Sequence, residues 1–61
     1  MKVKEHHLKP TLRSFLIDEV SLTAMLLDCV IIAKEQPYLD EGSIVRDTVQ
    51  VYLDRGDVKE L

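Results

Sequence analysis

The chain has one cysteine, no tryptophan, two tyrosines and one phenylalanine among 61 residues, with only two glycines and two prolines. Each scarcity excludes something. Cys29 is alone, so no disulfide can close within the chain. The other soft ligands are His6 and His7, which point apart on an extended chain, so no metal site is expected. The longest apolar stretch, Val20 to Ala33, is interrupted by Asp28 and falls short of the ~20 residues that a membrane span requires. No cleavable signal pattern is expected at the N-terminus, so the expected location is cytoplasmic, where a reduced cysteine is at home. There is no glycine-rich phosphate loop and no nucleophile beside a base. No enzymatic activity, cofactor or small-molecule substrate is therefore expected.

What is present is apolar and charged: 46% of residues are hydrophobic and 31% are charged, with a net charge of −3. A chain this short buries only ~60% of the surface its unfolded form exposes. Lacking a disulfide or a metal, it is expected to be stapled by a second chain. The charge is unevenly placed. Lys2, Lys4, Lys9 and Arg13 stand against Glu5 in residues 1–13, whereas ten acids face four bases in residues 14–61. That asymmetry predicts a basic arm on an acidic body, either a nucleic-acid contact or a solubilising tail.

Residues 1–10 are polar, end in Pro10 and are expected to form a flexible basic arm. Residues 11–17 are expected to form one β-strand, with Leu12, Ser14 and Leu16 on one face and Thr11, Arg13, Phe15 and Ile17 on the other. A second register, with Val20, Leu22 and Ala24 as inward strand residues, is open. Asp18 suits a helix N-cap. Residues 19–36 follow helical spacing through Val20, Ala24, Leu27 and Ile31, and through Leu22, Leu26, Cys29 and Ala33. Ser21, Asp28 and Glu35 repeat on the opposite side, with Met25 and Ile32 among them. A helix apolar nearly all round must be buried by more than its own chain. Pro37 stops it. Residues 43–54 predict a second helix, capped by Asp40 or Ser43 and ended by Gly56. Residues 57–61 are expected to be a charged tail. A lone strand needs another strand to satisfy its backbone, and a second copy is the expected source. The expected fold is mainly α with one short β-strand. It would be an intertwined homodimer built on an intermolecular two-stranded antiparallel ribbon, with residues 11–56 as the domain.

The second-helix region reads Leu39-Asp40-Glu41-Gly42-Ser43-Ile44-Val45-Arg46-Asp47-Thr48-Val49-Gln50-Val51-Tyr52-Leu53. It resembles the ribbon-helix-helix family of the Arc and MetJ type through Leu39, Ile44, Val45, Arg46, Asp47, Thr48, Val49, Tyr52 and Leu53. Asp40 and Glu41 stand where that family usually has Ser or Thr and often a basic residue. The resemblance implies a transcriptional repressor that binds double-stranded DNA by inserting a dimeric β-ribbon into the major groove. It implies base contacts from Thr11 and Arg13, with Lys9 just before them. It also implies phosphate contacts at the second helix's N-terminus, from Gly42, Ser43 and Ile44, a start that could equally be an acid-capped helix with no ligand. Lys2 and Lys4 would follow the DNA backbone.

The alternative is a protein-interaction module, antitoxin-like or an adaptor, that uses the same dimeric fold without DNA binding. Its expected surface is the exposed apolar area around Met25, Ile32 and Tyr38.

Overall fold

The computed structural model describes residues 2–61. Strand β1 (Val3–Leu8) turns through a single 3-10 turn at Lys9–Thr11 into strand β2 (Arg13–Asp18). Helix α1 (Glu19–Glu35) follows directly, then helix α2 (Glu41–Arg55), and the chain returns as a short strand β3 (Lys59–Glu60). The three strands form one antiparallel sheet in the order β1-β2-β3.

The hairpin turn is built locally. Pro10 fixes the start of the 3-10 turn. The Leu12 N–H donates to the Leu8 and Lys9 carbonyls, both at 3.1 Å, and Leu12 takes a left-handed conformation with φ 56°. β1 and β2 then pair over their full length, from Val3 opposite Asp18 to Leu8 opposite Arg13. Side chains alternate across a strand, so Phe15 and Ile17 point together toward the helices, where both are fully buried.

Asp18 ends β2 and caps α1, accepting from the Ser21 N–H. At α2 the cap is Asp40, not Ser43. Gly56 closes α2 in the left-handed conformation, with the Asp57 N–H donating to the Tyr52 carbonyl at 3.0 Å. Beyond it, buried Val58 plugs the space beneath the sheet. β3 then pairs Phe15 with Glu60 and Leu16 with Lys59. The core is Phe15, Ile17, Met25, Val49, Tyr52 and Val58: one layer of sheet against one layer of helices.

This is not a ribbon-helix-helix fold. The expected single strand has a partner in its own chain, because residues 3–8 of the expected arm form β1; Met1 of that arm lies outside the described residues. The intermolecular ribbon, and the homodimer intertwined around it, are replaced by a three-stranded sheet within one chain. The expected class, mainly α with one strand, becomes α/β. The expected charged tail supplies a core residue and a strand. The second register also falls, since Val20, Leu22 and Ala24 are helical. No helix is long and apolar enough to cross a membrane among the described residues.

Candidate functional site

The residues expected to read DNA occupy two places. Lys9, Thr11 and Arg13 lie at the hairpin turn, close to the start of α2: the Pro10 side chain comes within 4.0 Å of where a Cβ on Gly42 would sit. Lys2 and Lys4 lie at the other end of β1, around a surface hollow shared with Asp18, Glu19 and Val20.

The turn residues are largely engaged. The Thr11 hydroxyl donates to the Leu8 carbonyl at 2.8 Å and accepts from the Arg13 N–H at 3.1 Å, which fastens the turn. The Arg13 guanidinium pairs with Glu60 at 3.3 Å and lies 5.6 Å from the centre of the Phe15 ring. Lys9 is exposed.

The N-terminus of α2 holds its own anion. The Asp40 carboxylate accepts from the Ser43 N–H at 3.0 Å and from the Ser43 hydroxyl at 2.7 Å. The Ile44 N–H donates to the Asp40 carbonyl at 3.2 Å, and the Ile44 side chain is buried. A Cβ at Gly42 would meet the same carboxylate at 3.3 Å. The Ser43 hydroxyl, followed by its N–H, holds the Asp40 carboxyl below the ordinary carboxylate range. Both donors of Ser43 are thus turned onto a fixed negative charge, and the Ile44 N–H is taken up within the helix.

His6 and His7 project to opposite faces of β1. His7 Nδ1 lies 3.2 Å from the Ser14 hydroxyl on the open face of the sheet. His6 points to the helix side, with Nε2 buried and without a partner. Among the described residues no three His, Cys, Asp or Glu side chains gather as metal ligands. Cys29 is half-buried.

The remaining surface of note is α1. Its inward side carries Ser21, Leu22, Met25, Asp28 and Ile32, so that two of its polar residues, Ser21 and Asp28, are turned inward. Asp28 belongs there because the Tyr52 hydroxyl donates to it at 2.8 Å, joining α1 to α2. The consequence is an outward face made of aliphatic side chains. Val20, Leu26, Leu27, Val30 and Ile31 are each between 51% and 70% exposed. Thr23 lies among them, and Glu19 and Lys34 flank them.

The apolar surface expected around Met25, Ile32 and Tyr38 is therefore shifted in phase. Met25 is 1% exposed, while Tyr38 is 79% exposed beyond the helix end. The apolar surface extends beside Leu26 and Val30 into a hollow bounded by Ala33, Pro37, Leu39 and Val45. The all-round apolar character of residues 19–36 signalled this face. Its phase goes with the packing of Met25 on the core and the Tyr52–Asp28 contact, which local spacing does not carry.

No protein-family model, no curated protein and no solved structure matches this chain.

Proposed function

We propose that the chain is a protein-interaction module whose docking surface is the outward face of α1. The observation that supports this reading is the run of half-exposed or more exposed aliphatic side chains from Val20 to Ile31. It lies on a helix that turns Ser21 and Asp28 inward and leaves these aliphatic residues outward. Contiguous apolar surface of this kind marks a protein contact, because exposure to water is unfavourable in proportion to its area.

This reading is favoured over DNA binding on local grounds. Base contact was expected from two strands of a ribbon between copies, whereas the hairpin is made within one chain. Arg13 is paired with Glu60, and the expected phosphate seat at α2 faces the Asp40 carboxylate. A surface rich in acids repels a polyanion.

The test is a pair of titrations followed through the side-chain methyl resonances. One uses an amphipathic probe helix with leucines at i, i+4 and i+7, and the other a random-sequence DNA duplex at low salt. The expected result is that the probe helix shifts Val20, Leu27, Val30 and Ile31 and the duplex shifts nothing. A duplex that binds with a steep salt dependence, displacing residues around Lys9 and Arg13, would overturn the proposal in favour of nucleic acid.

A further inference from the structure

Resting on that reading of the α1 face, we infer that its occupant is a second copy of this chain, packed antiparallel along α1 about a twofold axis beside Leu27. This is a different contact from a ribbon between strands, since the strands are satisfied within each chain.

The order of residues along the outward face carries the argument. It runs Glu19, Val20, Thr23, Leu27, Val30, Ile31, Lys34. An acid stands at one end, a base at the other, and aliphatic residues fill the centre. A twofold contact is self-complementary: whatever lies at one distance before the axis meets what lies at the same distance after it. Reversing this face about Leu27 brings Glu19, eight residues before the axis, to within one residue's rise of Lys34 of the other copy, seven residues after it, at both ends. Thr23 falls beside Val30 and Ile31, and Leu27 falls beside its own copy. A parallel arrangement would instead place Glu19 against Glu19 and Lys34 against Lys34. The helix dipoles favour the same choice, because the antiparallel arrangement sets opposite ends together. Glu35, exposed and adjacent in sequence to Lys34, is turned about 100° round the helix from it.

The sizes agree. α1 has 17 residues, a length of about 25 Å, so the aliphatic centre spans most of the helix. A single helix pair is at the small end of specific interfaces, so the dimer should dissociate in the micromolar range.

The experiment is sedimentation of the purified chain from micromolar to millimolar concentration, with three variants. The wild type should pass from monomer to dimer. Leu27→Asp, at a solvent-facing position, should remain a monomer with an unchanged circular dichroism spectrum. In a Cys29→Ser background, Leu27→Cys should oxidise to a disulfide-linked dimer. Val20→Cys should not, because the two copies of that position lie about 20 Å apart, beyond disulfide reach. Crosslinking of Val20→Cys as fast as Leu27→Cys would overturn the antiparallel arrangement. A dimer that survives Leu27→Asp would overturn the α1 contact. A wild type monomeric throughout that still binds the probe helix on α1 would remove the second copy and leave the docking surface standing. A monomer that binds neither would remove both.

Discussion

The Tyr52 hydroxyl donates to the Asp28 carboxylate at 2.8 Å, and this bond, with buried Met25 beside it, holds the same side of α1 toward the core. Tyr52→Phe removes the donor and leaves a half-buried carboxylate unpaired inside the helix pair. The expected cost is about 1–3 kcal/mol, measurable by urea unfolding. The bond also shapes the alkaline limb. Asp28 accepts from the phenol and, by its charge, opposes its ionisation, so Tyr52 titrates above its ordinary value. Its contribution to stability is therefore complete below pH ~10 and is lost as pH rises through the raised pKa of the folded state. Tyr52→Phe should remove that part of the alkaline loss; an unaltered alkaline limb would show that the phenol is not held as described.

Acid acts on the two helix caps. Ser21 and Ser43 hold the Asp18 and Asp40 carboxyls below the ordinary carboxylate range through their hydrogen bonds. A depressed folded-state pKa gives stability that is fully present above the unfolded value, near 4, and is lost as pH falls through the folded one. The thermal midpoint should therefore drop below pH ~4. The double variant Asp18→Asn, Asp40→Asn keeps both caps and should flatten that drop. Thermal melts followed by circular dichroism across the acid range check it.

Leu12 is the described non-glycine residue with positive φ, at 56°, and is 81% exposed. A leucine in the left-handed region costs roughly 1–2 kcal/mol, and its side chain gains little there from burial. Leu12→Asn should stabilise the chain by about 0.5–1 kcal/mol, since asparagine tolerates this region without glycine's entropy loss. A lower unfolding midpoint would contradict the turn geometry.

Strand β1 is structural. Deleting residues 2–8 strips β2 of its six paired residues and uncovers Phe15, which is fully buried. A domain of this size is stabilised by only about 3–9 kcal/mol, so the truncated chain should be unfolded. Amide exchange on the intact chain should show protection in β1 comparable to that in β2. A truncated chain that stays folded, or β1 amides that exchange as fast as a free tail, would restore the arm.

The helices were legible because their signals are local. Asp18, Pro37, Asp40 and Gly56 mark ends by side-chain and backbone chemistry that acts within a few residues, and the 3.6-residue spacing lies between them. β1 was not legible because its helix-facing positions are Lys4, His6 and Leu8, a pattern with no apolar alternation. Its strand character comes from pairing with β2, a tertiary effect that outweighs local preference. Val58 is a single apolar residue in a charged segment, and only the sheet's third strand gives it a place. The shared positions in α2, from Ile44 to Leu53, match a ribbon-helix-helix pattern because any helix packed on a sheet needs such spacing. The candidate site was half legible: an apolar excess in α1 could be read, whereas its direction followed from tertiary packing, Met25 on the core and Asp28 on Tyr52, 24 residues away.

The most direct test of the central claim is the quenching of methyl resonances by a soluble paramagnetic probe, followed as protein concentration rises. Dilute protein should show Leu27 and Ile31 strongly quenched and Met25 protected. Leu27 and Ile31 should become protected as the second copy, or the probe helix, covers them. Leu27 protected even in the dilute monomer would contradict the placement of the α1 face. Leu27 quenched equally at every concentration, with and without the probe helix, would contradict its role as a docking surface.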